Sequence, residues 1–91
     1  MGTTQYFMKD PDAILDYSID WSAWLGSDTI STSSWSVPTG ITKVSDSKTT
    51  TVTTIWLSGG TEGPTYAVVN HIKTAAGRED DRTLYIKVKS R

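Results

Sequence analysis

Thr54-Ile55-Trp56-Leu57-Ser58-Gly59-Gly60-Thr61-Glu62-Gly63-Pro64-Thr65-Tyr66-Ala67-Val68-Val69-Asn70-His71-Ile72 holds two strand-like runs on either side of a turn rich in glycine and proline. Side chains alternate along a strand, so Ile55 and Leu57 share one face of the first run, and Tyr66, Val68 and Ile72 share one face of the second. Both faces require a common core. Gly59, Gly60 and Gly63 permit positive φ and Pro64 presets the return, so the chain can cross here from one sheet to another. The rest of the chain is expected to pack around this corner.

Outward from the corner, Leu15, Tyr17, Ile19 and Trp21 alternate with Asp16, Ser18, Asp20 and Ser22, the clearest period-two run in the chain. Residues 22–28 break the alternation and admit a single helical turn, with Trp24 capping one end of the core. A strand follows over Thr29 to Val37, ended by Pro38-Thr39-Gly40. Ile30 and Trp35 have opposite parity there, so burying both requires a bulge, expected near Ser33 or Ser34. Ile41 to Ser45 reads as a short strand turned by Asp46-Ser47-Lys48, and Thr49 to Leu57 as a Thr-rich strand. Tyr66 to Thr74 is next, then a loop over 75–81, then Arg82 to Lys89 with Leu84, Ile86 and Val88 inward and Tyr85, Lys87 and Lys89 outward. Residues 1–8 read as a loose N-terminal arm anchored by Phe7 and Met8, and Lys9-Asp10-Pro11-Asp12 as a turn. Six or seven strands with no run long enough for a crossover helix predict an all-β, immunoglobulin-like sandwich filling residues 1–91 as one domain. Tyr66, two residues before a buried strand position, resembles the tyrosine corner of such sandwiches, its hydroxyl expected on a backbone group of the Gly59–Pro64 turn.

With 91 residues there is room for one core, and the absence of cysteine removes any disulfide. Four tryptophans are the substitute staple. Each buries about 150 to 250 Å², an upper limit of roughly 4 to 6 kcal/mol apiece. Trp21 and Trp35 are expected in the core, and Trp24 and Trp56 nearer the surface. A net charge of −1 gives no electrostatic case for nucleic acid or an anionic membrane. The N-terminus lacks the basic start and apolar run of a secretion signal, and no stretch approaches a membrane span, so the cytoplasm of the producing cell is the expected compartment.

Chemistry has few candidates. The single histidine, His71, falls on the outer parity of a strand and reads as a surface residue. Asp10 and Asp12 read as turn residues, and Asp16 and Asp20 lie along one strand without the oxygen-ligand loop of a calcium site, so no metal or cofactor is expected. No catalytic residue is assigned. The run Arg78-Glu79-Asp80-Asp81-Arg82 is either a docking contact or a solvated hairpin tip. Tryptophans exposed in a row would make a sugar platform, and Thr49 to Thr54 is either an edge offered for strand addition or one kept polar against it.

Two resemblances extend this reading. Residues 30–38, Ile30 to Pro38, resemble the tryptophan-bearing second strand of fibronectin type III modules, and Leu57 to Val68 resembles their corner. Seven blocks, from Lys9-Asp10-Pro11-Asp12-Ala13 and Leu15-Asp16-Tyr17 through Asp20-Trp21-Ser22-Ala23-Trp24-Leu25, Asp28-Thr29-Ile30, Trp56-Leu57-Ser58-Gly59-Gly60, Tyr66-Ala67-Val68 and Gly77-Arg78-Glu79-Asp80-Asp81-Arg82, are together similar to small phage-related structural proteins described as fibre–tail adaptor proteins of tailed phages and prophages. The resemblance implies a non-enzymatic virion component, made in the cytoplasm of the bacterial host. Its implied partners are other tail or fibre proteins; a homo-oligomer is kept as a second candidate, and no nucleic acid, membrane or small-molecule substrate is expected. A carbohydrate-binding or host-adhesion module is the alternative. The candidate protein interface comprises Phe7, Lys9, Asp10, Asp12, Trp24, Arg78, Asp80, Asp81 and Arg82, because a sandwich core does not account for them. Charge reversal at Arg78 or Asp81 is accordingly expected to leave stability within about half a kcal/mol.

Overall fold

The structure, a computed structural model, describes residues 4–89, with side chains from Tyr6 onward. Seven strands and one helical turn follow in order: β1 Thr4–Lys9, β2 Leu15–Asp20, α1 Ser22–Leu25, β3 Ile30–Ser36, β4 Ile41–Lys48, β5 Val52–Gly59, β6 Thr65–Thr74 and β7 Glu79–Val88. They form a four-stranded sheet, β1-β7-β6-β3, and a three-stranded sheet, β2-β5-β4. The result is an all-β immunoglobulin-like sandwich. All pairings are antiparallel except β1 with β7.

The alternation read from the sequence supplies the core. Tyr17, Ile19, Ile55 and Leu57 from one sheet meet Tyr66, Val68, Ile72, Leu84, Ile86 and Val88 from the other, all buried. Leu15 shares their parity but starts β2 at the end of its sheet, and it stays 38% exposed. Trp21 is wholly buried just after β2. Its indole Nε1 donates to Asn70 Oδ1 at 3.1 Å and to Thr53 Oγ1 at 3.3 Å, and the Thr53 hydroxyl donates to the same Asn70 oxygen at 2.7 Å. Asn70 Nδ2 donates to Ser33 Oγ and Ser34 O, both at 3.0 Å. Thr53 belongs to one sheet and Asn70 to the other, so one buried hydrogen-bonded knot ties the two sheets together.

At the corner, the Tyr66 hydroxyl accepts the Thr61 backbone N–H at 2.9 Å, the bond expected of a tyrosine corner. Gly60 has φ +100°, and a Cβ there would lie 2.5 Å from Val88 Cγ2, so the residue must be glycine for reasons of both conformation and space.

Several expectations are corrected. Residues 4–8 of the supposed loose arm are part of β1, held in register along β7 from Thr4 opposite Thr83 to Lys9 opposite Val88; residues 1–3 lie outside the described residues. The sequence hides this strand because it is parallel and carries no turn signal from its partner. The bulge in β3 falls between Ile30 and Thr32, earlier than Ser33, and still brings Ile30 and Trp35 to the inner face. Trp35 is only half-buried, and it lies in the third strand; the buried tryptophan at the end of the second strand is Trp21. Residues 49–51 turn the chain and the Thr-rich β5 lies between β2 and β4, so it is not an edge. Glu79 to Arg82 belong to β7, which pairs Glu79 with Lys73 and Asp81 with His71; the loop is only the turn over 75–78.

Trp21→Ala should cost about 3 to 5 kcal/mol by urea unfolding, and the half-buried Trp35 less, about 2 kcal/mol. Tyr66→Phe keeps the ring and removes one hydrogen bond, so it should lose about 1 kcal/mol; unchanged stability would mean that the corner bond contributes nothing.

Candidate protein interface at the two ends

The strand register gathers the turns at two ends of a molecule measuring 42 × 23 × 20 Å. One end carries residues 10–14, 37–40 and 60–64. The other carries α1, residues 26–29, 49–51 and 75–78.

At the first end, Lys9 is 1% exposed. Its ammonium donates to the Gly59 carbonyl at 2.7 Å and the Asp10 carbonyl at 3.0 Å, tying β1 to the corner. Burial holds its pKa below the usual lysine value, against the opposing pull of Asp10 and Asp12. Lys9 therefore leaves the set of interface residues. Phe7 is half-buried with its ring against Tyr17, 4.9 Å between centroids, and belongs to the core's margin. Asp10 caps the next turn, its Oδ1 accepting the Asp12 N–H at 2.9 Å and its carbonyl accepting the Ala13 N–H at 3.0 Å. That turn sets Asp10, Asp12, Ala13 and Leu15 around an open cleft of about 530 Å³, with Ile14 58% exposed beside them.

At the second end, Trp24 meets Trp21 edge to face with centroids 5.5 Å apart. Arg78 lies over Trp24, its guanidinium carbon 4.3 Å from the ring centroid, and Arg82 lies over Trp21 at 4.2 Å. Arg78 also donates to the Leu25 carbonyl at 2.9 Å, the Trp24 carbonyl at 3.4 Å and Asp28 Oδ2 at 3.2 Å, while Arg82 donates to the Asp20 carbonyl at 3.1 Å. A helical turn of four residues leaves its last carbonyls without helical partners, and Arg78 supplies them. The Asp28 carboxyl is held at about 2 by the Thr74 hydroxyl and, further, by the Thr29 and Ala76 N–H groups and Arg78, overcoming its partial burial. This corrects the expectation for Arg78: it is a structural clamp, and its reversal would place a carboxylate against two carbonyls and Asp28. Asp28 itself was legible only as part of a family-like block, because its partners lie about 50 positions along the chain.

Asp80 is half-buried and Asp81 exposed on the outer face of β7. There Asp81 Oδ1 meets His71 Nδ1 at 2.5 Å and Glu79 Oε1 meets His71 Nε2 at 2.9 Å. Bonding first to Asp81, then to Glu79, raises the His71 pKa. Among the described residues no group of three or more His, Cys, Asp or Glu is arranged to hold a metal. No helix among them is long and apolar enough to cross a membrane. Of the four tryptophans only Trp56 is substantially exposed, at 41%, so they make no paired sugar platform.

Fold and surface together define a small immunoglobulin-like module. In shape it is similar to the PKD domain of the KIAA 1837 protein, solved in solution, with a TM-score of 0.59 and 18% identity over 99% of this chain and 83% of that one. No curated protein matches the chain. Residues 9–87 match the family model described as podophage GP4 fiber-tail adaptor protein gp77, and the chain belongs to that family.

Arg78→Ala should lose about 1 to 2 kcal/mol in urea unfolding, from its hydrogen bonds and its stacking on Trp24. For His71 the folded pKa is raised, so its contribution is complete below the unfolded value of about 6.5 and disappears as pH rises through the folded value. Wild type should therefore exceed His71→Gln in urea midpoint at low pH and match it at alkaline pH; a margin that grows with pH would overturn the assignment.

Proposed function

We propose that this chain is a non-enzymatic virion component that bridges two tail or fibre proteins, one at each end of its sandwich, and that it is assembled in the host cytoplasm. Family membership supports the adaptor role. The observation that carries the two-ended reading is where the family-like blocks lie. Lys9 to Ala13 and Leu57 to Gly60 meet at one end through the Lys9–Gly59 bond; Trp24, Asp28 and Arg78 meet at the other. At the first end Asp10 and Asp12 rim exposed Ile14 and Leu15, a surface suited to an apolar patch flanked by lysine or arginine on the partner. At the second, Arg78 holds half-buried Trp24, a residue type that concentrates binding energy, in place. A non-enzymatic role is supported by His71, whose two ring nitrogens both face carboxylates and so are not aimed at a serine hydroxyl. The near-neutral net charge supports protein partners over nucleic acid.

The test is assembly. Phage carrying Asp12→Lys with Ile14→Ser should produce a chain whose urea midpoint is close to wild type, since both residues are exposed, yet yield particles lacking fibres or completed tails. Wild-type yield of infectious particles from these variants would overturn the proposed contact at the first end.

A further inference from the structure

The outer face of the four-stranded sheet is used by neither end, and its side chains form an ordered pattern. Tyr6 on β1 stacks on Tyr85 of β7, centroids 5.1 Å apart and planes 18° from parallel, with Ala67 of β6 next in the same row. Tyr6 is 76% exposed and its neighbour Met8 52% exposed, so an apolar row crosses three strands in open solvent. Tyr6, Phe7, Met8, Thr65 and Lys87 line a recess of about 310 Å³ at the β1 edge of this face. Along β7 the outward positions run from Glu79 and Asp81 at one end, past Thr83 and Tyr85, to Lys87, with exposed Lys89 just beyond the strand.

That order is antisymmetric. We propose that this face is a self-association surface on which a second copy of the chain docks about a two-fold axis near Tyr85. Two β7 strands laid antiparallel about that axis put the tyrosine stacks together at the centre, and they bring the lysine end of each copy over the carboxylate end of the other, Lys89 above Asp81. An axis at Thr83 would keep a charge match, Lys87 above Glu79, but would set Tyr85 over Asp81, so the axis at Tyr85 is the one that satisfies both the stacks and the charges. An isologous interface needs this self-complementarity. Within one copy Asp81 and Glu79 contact His71, and Lys73 lies opposite Glu79, yet the two carboxylates remain 60% and 55% exposed and keep oxygens available to a partner. Ten residues of β6, ten of β7 and six of β1, at about 3.3 Å per residue and about 4.8 Å between strands, cover about 400 Å² per copy, the size of a weak, transient interface. A weak, concentration-dependent dimer is therefore expected.

Sedimentation equilibrium over about a hundredfold range of concentration reads the dimer directly. Wild type should shift from monomer to dimer mass, less so at high salt. Tyr6→Ser combined with Tyr85→Ser should weaken association at least about tenfold, with folding checked by urea unfolding. The double variant Lys87→Glu, Lys89→Glu and the double variant Glu79→Lys, Asp81→Lys should each be monomeric alone and should associate one to one when mixed. A wild type that stays monomeric at millimolar concentration, or a dimer indifferent to both the tyrosine and the charge substitutions, would overturn the proposal. Either outcome is independent of whether the ends of the sandwich dock virion proteins, which the assembly experiment reads separately.

Discussion

The indole of Trp21 donating to Asn70 and Thr53 is the contact on which the two sheets depend. A sandwich this small has little apolar area to spare, and no disulfide crosses it. The knot combines the largest fully buried side chain with a closed set of hydrogen bonds, Asn70 using its oxygen on one sheet's partners and its nitrogen on Ser33 and Ser34. A buried amide left unpaired would cost more than the pairing contributes, so the network admits one alignment of the sheets. Fixing that alignment also sets Trp21 where Trp24 and Arg82 can stack on it.

From Trp21 the consequences run to the second end. Arg82 and Trp24 flank the indole, Arg78 covers Trp24 and supplies the carbonyls of α1, and Asp28 holds Arg78 while accepting backbone N–H groups from both flanking segments. The family-like blocks at 20–25 and 28–30 and the distant one at 77–82 are thus one contiguous structure. Their residue types serve to organise the end as well as to present it. The same holds at the first end, where buried Lys9 joins β1 to the corner and Asp10 shapes the turn that exposes Ile14.

Edges are managed as a small sandwich requires. β4 pairs with β5 on one side only, and it carries Lys43 bonded to Asp46, a register shift after Lys43, and Lys48 at its end. Lysines and bulges on an edge discourage indiscriminate strand pairing. With β5 central, the large apolar residues still exposed among the described residues lie at Ile14 and Leu15, on the Tyr6–Tyr85 face, and at Val44 and Trp56.

What the sequence by itself determined is everything governed by local period and turn chemistry. The inward parities of β2, β5, β6 and β7, the glycine-rich corner, the break at α1 and the Tyr66 hydroxyl bond follow from neighbours within a few residues. So does the class of fold, and the seven ordered blocks carried the family. Tertiary structure alone decided what each charged residue is for. Lys9, Arg78 and Arg82 are indistinguishable from surface charges in one dimension, and they became a buried tether and two tryptophan clamps only because their partners, 50 or more positions away, are brought alongside by sheet pairing. The same holds for β1, whose parallel partner β7 begins about 75 residues later, and for the centrality of β5: hydrogen bonding between strands depends on spatial neighbours, and a strand's own sequence does not specify which strands those are.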